Sequence, residues 1–281
     1  MSIQRRPSEP RARFRSTAVL ALGAAFCLLL SGCGLLREKE REVAFEPVEH
    51  PAYYSCPRRM TRVEVDGAVD ESEWDYAGKI RRFSIPPEKR PPTNSTTGWV
   101  TWDDRFLYVA FDAEDPAIEA TRTGRDSDTY KDDVLEIFFK TDPREPDYYN
   151  IEINALGEFR DGYNTQDKRF NDGWDCPGLE VGVSVDGTLN DPTDRDGGWQ
   201  LEVAIPFACL PSLEGEFPEP GDVWLIHLAR IDRAETLKEG RELISSAPLQ
   251  RAWFHDSKKW LPLVFQGPRH SSNETPKEKV K

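Results

Sequence analysis

Methionine is almost missing: Met1 and Met60 are the only two in 281 residues. Histidine is scarce, and His50, His227, His255 and His270 have no metal-ligand spacing. No two of the five cysteines form a CxxC, which argues against a structural zinc site. GxSxG, HExxH, the phosphate-binding loop and a GxGxxG after a strand are all absent. Positive charge is in deficit, with 37 Lys and Arg against 50 Asp and Glu and a net charge of −13. That balance argues against nucleic acid or anionic lipid held by bulk charge. The longest apolar run, Ala18 to Leu30, is short for a membrane-spanning helix. Aromatic and turn residues are plentiful instead: eight Trp, eight Tyr, fourteen Phe, 22 Pro and 19 Gly. They indicate an all-β fold with many turns.

That apolar run follows Arg5, Arg6, Arg11, Arg13 and Arg15 and ends Leu30-Ser31-Gly32-Cys33. It has the length of a signal-peptide core. The ending resembles a bacterial lipobox, whose Cys is lipidated and becomes the first residue. The resemblance implies a signal peptide over 1–32, a lipidated Cys33 with a tether over 33–50, and a membrane anchor. Gly34 in place of Asp implies the outer membrane. A polar tail is expected over 267–281. Export permits a disulfide. Cys56 with Cys176 is the expected pair, because Cys209 sits in an apolar Phe-Ala-Cys-Leu context.

Period-two alternation dominates residues 51–266. Strands are expected at Arg62–Val65, Val134–Phe139, Tyr148–Asn154, 179–185, 199–205, Trp224–Ile231 and 263–265. Trp99–Trp102 and Phe106–Phe111 read as a hairpin over Asp103-Asp104-Arg105. One short helix is expected, with Asp70 and Glu73 as a capping box. The spacing predicts an antiparallel β-sandwich.

Several segments resemble family 9 carbohydrate-binding modules, which are related to DOMON domains. They are Val65-Asp66-Gly67 through Trp74, Trp102-Asp103-Asp104 through Ala110, Asp132-Asp133 through Phe138, Tyr148 through Gly157, Gly187 through Asn190, and Gly198-Trp199 through Pro206. The resemblance spans roughly 60–266. It implies a jelly-roll or DOMON-like sandwich that binds poly- or oligosaccharide without catalysis. Its relatives are often associated with hydrolases acting on O-glycosyl bonds.

Sugar recognition needs aromatic platforms for C–H faces and planar polar groups for hydroxyls. Carried over by motif, the resemblance implies Tyr130 as one aromatic and Glu136 and Asn154 as polar contacts. Glu152 stands where the family has Arg, a departure that puts the family's ligand in question. Trp253, then Trp174, are candidates for the second aromatic. Glu202 and Arg230, in separate strands, are expected as a structural ion pair. Asp126-Ser127-Asp128, Asp132-Asp133 and Asp191 through Asp196 offer oxygens for a structural calcium, which the resemblance allows, although none matches an EF-hand loop. Two other readings stay open: an envelope scaffold or adhesion sandwich that has lost its sugar site, and a DOMON-like haem domain using Met60 and His227.

Overall fold

The computed structural model describes residues 45–268, except 71, 166–172, 235, 238 and the side chain of Glu73. The expected signal peptide, Cys33, most of the tether, the tail beyond 268 and the Glu73 side of the capping box lie outside the described residues. Among the described residues no helix is long and apolar enough to cross a membrane.

Twelve strands lie among the described residues: β1 (Tyr54–Arg58), β2 (Gly78–Ile80), β3 (Thr96–Trp102), β4 (Phe106–Glu114), β5 (Val134–Lys140), β6 (Tyr148–Asn154), β7 (Phe159–Asn164), β8 (Glu180–Asp186), β9 (Gly198–Pro206), β10 (Val223–Arg233), β11 (Arg241–Ser245) and β12 (Leu261–Pro268). The helix α1 is one turn, Ser72–Asp75. The strand order is β7-β6-β5-β10-β12-β1-β3-β4-β9-β8, with β11 on β10 and β2 on β3. The sheet curls, and its two halves enclose one core. Leu135, Ile137 and Phe139 of β5 meet Val100 of β3, Val109 of β4 and Leu201 of β9 there. Gly98 of β3 shows how closely the halves approach: a β-carbon on it would lie 2.6 Å from Cδ1 of Leu228 on β10. This is the expected sandwich with one departure. It is mixed, because β1 runs parallel to both β12 and β3 and joins the two halves.

Two local expectations are corrected. Arg62–Val65 forms no strand. Val63 packs with Phe106, Tyr108 and Ala204 on the outer face of β4 and β9, so its alternation serves a sheet face rather than a ladder. The disulfide joins Cys176 to Cys209, with 5.1 Å between α-carbons, instead of Cys56 to Cys176. The β8–β9 pairing explains it, since Cys176 precedes β8 and Cys209 follows β9. Cys56 is a free thiol buried on β1, and burial raises its pKa well above the ordinary value.

The outer face of β5 and β10 positions the site. Strands with one wet face alternate buried and exposed residues, yet every residue of β5 is buried. The segment after β11 covers this face. Its Ala247, Leu249, Phe254 and Trp260 pack on Val134, Phe138, Ala229 and Ile231. Phe138 is central, with His227, Phe254, His255 and Trp260 around its ring. The Trp260 indole donates to the Phe254 carbonyl at 2.9 Å and closes the cover on itself.

Candidate functional site: a carboxylate-floored cavity under the β11–β12 segment

Between that cover and the sheet lies a cavity of about 420 Å³. Its floor is built by strand register. Arg160 of β7 stands opposite Glu152 of β6, Glu152 opposite Glu136 of β5, and Glu136 opposite Ala229 of β10. One rung therefore reads Arg-Glu-Glu-Ala. Directly opposed side chains have β-carbons about 5 Å apart, so the two carboxyls are neighbours. Trp253 and Tyr130 also line the cavity and are 41% and 38% exposed, while Glu136 is 3% exposed.

The two carboxyls are held differently. Asn164 donates to Asn150 at 2.7 Å, and Asn150 donates to Glu152 at 3.0 Å. The Thr129 hydroxyl also reaches Glu152, at 3.5 Å. Glu136 accepts no hydrogen bond from any described residue. On its own strand it lies between Val134 and Phe138 on the same face. Burial, then the charge of Glu152, pushes its pKa well above the carboxylate range. Glu152 is also raised by burial, with Arg160 opposing the rise. His255, bonded through Nδ1 to the Tyr148 hydroxyl at 2.8 Å, is pushed down to about 4, chiefly by burial.

The 3-10 turn Thr129–Lys131 carries Tyr130. Arg233 donates to the Tyr130 carbonyl at 3.0 Å. The paired aspartates that follow fix the neighbouring loop. Asp132 accepts from the Arg122 N–H at 2.8 Å, and Asp133 from the Glu119 N–H at 2.6 Å.

Four of the expected residues thus share the cavity: Tyr130, Glu136, Glu152 and Trp253. Two do not. The Asn154 amide is spent on the Arg122 carbonyl at 2.8 Å and Asp132 at 2.9 Å, and its oxygen accepts the N–H groups of Leu156 and Glu158. It brackets loops together. Trp174 packs at 5.0 Å on Tyr149, at the end of an aromatic row running through Tyr163, Tyr149 and Phe139 beside the disulfide. Among the polar lining residues, Arg160, Asp161, Asn150 and His255 were not among the expected site residues. Asn150 shares strand parity with Glu152, a signal that was readable. Arg160 lies on β7, whose Phe-Arg-Asp-Gly-Tyr-Asn has no alternation to mark it.

The buried arginine and glutamate also find other partners than expected. Arg230 pairs with Asp115 at 3.0 Å and Asp232 at 3.3 Å. Glu202 accepts from the Trp74 indole and from the N–H groups of Asp66 and Gly67. Met60 is 79% exposed, and the His227 Nε2 is engaged with the Ser245 hydroxyl at 2.8 Å. Neither lines the cavity, so the arrangement offers no axial pair for haem.

Two groups of carboxylates among the described residues have oxygens close enough for a cation: Asp115, Asp133 and Asp232, and Asp126, Asp161 and Asp175. Each is organised round a guanidinium. Arg230 holds the first, while Arg125 reaches Asp161 at 2.6 Å, Asp175 at 2.8 Å and Asp126 at 3.4 Å. A calcium cage offers six to eight oxygens with no competing cation among them. These donor sets do not fit one.

The comparisons with known proteins point one way. A Bacteroides uniformis protein with an inferred carbohydrate-binding role shares 16% identity and a TM-score of 0.57, over 75% of this chain and 98% of that one. A family 9 carbohydrate-binding module from Caldicellulosiruptor kristjanssonii in complex with cellotriose shares 16% identity and a TM-score of 0.52, over 79% and 97%. The structure of such a module from the same organism with glucose gives 15%, 0.50, 78% and 98%. At these identities the likeness is one of fold. No curated protein matches the sequence significantly. The sequence model described as "Carbohydrate family 9 binding domain-like" matches residues 65–267, and the chain belongs to that family.

Proposed function

We propose that this protein is a non-catalytic saccharide-binding module on an exported, lipid-anchored carrier. One saccharide unit would enter the cavity against Trp253 and Tyr130 and bond through Glu136 and Glu152. The observation that carries this reading is Glu136, a carboxyl buried at the floor of an aromatic-lined cavity with no hydrogen-bond partner among the described residues. Burying an unpartnered carboxyl costs several kcal/mol by rough estimate. A ligand that bonds to it offsets that cost, whereas a scaffold that had lost its ligand would gain from an apolar residue there. The solved family 9 modules bound to cellotriose and glucose support the same class of ligand. The family is one of carbohydrate binding, which supports binding over glycoside hydrolysis.

The arginine-led apolar run ending at Cys33 supports lipid anchoring, and Gly34 supports the outer membrane. The guanidiniums of Arg230 and Arg125 support reading the two carboxylate groups beside them as ion-pair networks. A glycan array probed with the purified protein tests the binding reading. Saturable binding that Trp253→Ala abolishes upholds it, and silence across plant, algal and host glycans overturns it. Radiolabelled palmitate tests the anchor: label in the wild type and none in Cys33→Ala is expected.

A further inference from the structure

We propose that the saccharide this cavity prefers carries a free amine, whose ammonium sits between Glu136 and Glu152. The inference rests on the saccharide reading and narrows it by charge.

The rung of the floor sets up the imbalance. Arg160 faces Glu152 from β7, on the side away from Glu136, and also approaches Asp128 at 3.9 Å. On the other side of Glu136 stands Ala229, which brings no charge. Along β5 its same-face neighbours are Val134 and Phe138. Asp161, the third acid of the lining, is already answered by Arg125 at 2.6 Å and the Cys176 N–H at 2.8 Å. Among the described residues one carboxyl is therefore left without a cation, and it opens on the cavity.

The walls select the kind of cation. Ile231, Leu243, Ala252 and Phe254 line the cavity beside Trp253 and Tyr130. A calcium ion asks for six to eight oxygens, and beyond Asp161, which is already paired, this lining supplies two carboxyls and the Asn150 amide. A primary ammonium asks for three acceptors in a compact arrangement. Two opposed carboxylates meet most of that demand, and the aromatic rings favour a nearby positive charge. An amine on a sugar ring combines this ammonium with C–H faces for Trp253. A neutral sugar leaves Glu136 to carry a proton instead.

The test is calorimetric titration of the purified protein at pH 6.5 with three β-1,4-linked trisaccharides: the glucosamine trimer, its N-acetylated counterpart and cellotriose. They differ only in the group at carbon 2. The glucosamine trimer is expected to bind at least tenfold tighter than the other two. Glu136→Gln should erase that preference. The wild-type ranking decides the matter by itself even if the variant does not fold. Cellotriose or the acetylated trimer binding as tightly as the amine overturns the inference and leaves the saccharide reading standing. No binding of any trimer, together with silence on the glycan array, removes both.

Discussion

The indole nitrogen of Trp74 donates to Glu202 at 2.7 Å, tying α1 to the middle of β9. The other oxygen of Glu202 accepts from Asp66 at 3.0 Å and Gly67 at 2.9 Å. Gly67 has φ of +92°, and a β-carbon there would lie 2.5 Å from the Val183 backbone. The first and last of the family-like segments are therefore two halves of one buried joint. Glu202→Ala leaves three donors unanswered and should cost about 3 kcal/mol or more in urea denaturation. Trp74→Phe removes one donor and keeps most of the volume, so about 1 kcal/mol is expected. Neither change touches the cavity, and saccharide affinity of the folded fraction should hold.

Glu136→Gln should do the opposite, raising stability while weakening binding. The folded pKa of Glu136 lies above its unfolded value. Its contribution is therefore fully present below the unfolded pKa and is lost as pH rises through the folded one. The variant should melt higher than the wild type at pH 8, with the gap closing towards pH 4. Glu152, Arg160, Asp161, Tyr130 and His255 line the same cavity in both proteins. The difference between the two melting profiles therefore reads Glu136 together with its effect on Glu152. A gap independent of pH would contradict the assignment.

The two candidate tryptophans should separate cleanly. Trp253 is exposed at the cavity, so Trp253→Ala should lower saccharide affinity more than tenfold with little change in melting temperature. Trp174 is packed on Tyr149 and Tyr163. Trp174→Ala should destabilise by roughly 2–4 kcal/mol and leave the affinity of the folded protein within about twofold. Paired calorimetry and thermal melts read both quantities.

Calcium and chelator should leave the melting temperature unchanged within a degree, because both carboxylate triads already hold a guanidinium. Arg230→Met, by contrast, leaves Asp115 and Asp232 buried without their cation and should cost about 3–5 kcal/mol. A calcium-dependent rise in melting temperature would return the metal to this fold.

Long alternating strands were readable because their period alone determines which face is buried. Tyr148–Asn154 matches its expected bounds, and the β3–β4 hairpin falls where its aspartate turn predicts. What escaped is what period two does not encode. β7 and β11 are polar, and β2 has three residues. The cover over β5 is chain without strand alternation, yet it buries Glu136, which stands on the face opposite Leu135 and Ile137. Glu136, Glu152, Tyr130 and Trp253 came from resemblance, while their meeting in one cavity is a property of strand register. The expected pairing of Cys56 failed because cysteine context carries no information about which loops a topology brings together.

Cys56 sits where β1 bridges β12 and β3, which gives the order of folding steps a structural cost if it is reversed. Of the three disulfides available to Cys56, Cys176 and Cys209, two enlist Cys56. Either would tie β1 to the chain flanking β8 and β9 and leave the third thiol unpaired. Docking of β1 hides the thiol and keeps it protonated, and only then is the native pair the sole choice. Under oxidising conditions folding is thus a race between strand insertion and thiol oxidation, with the seam of the sheet as the stake.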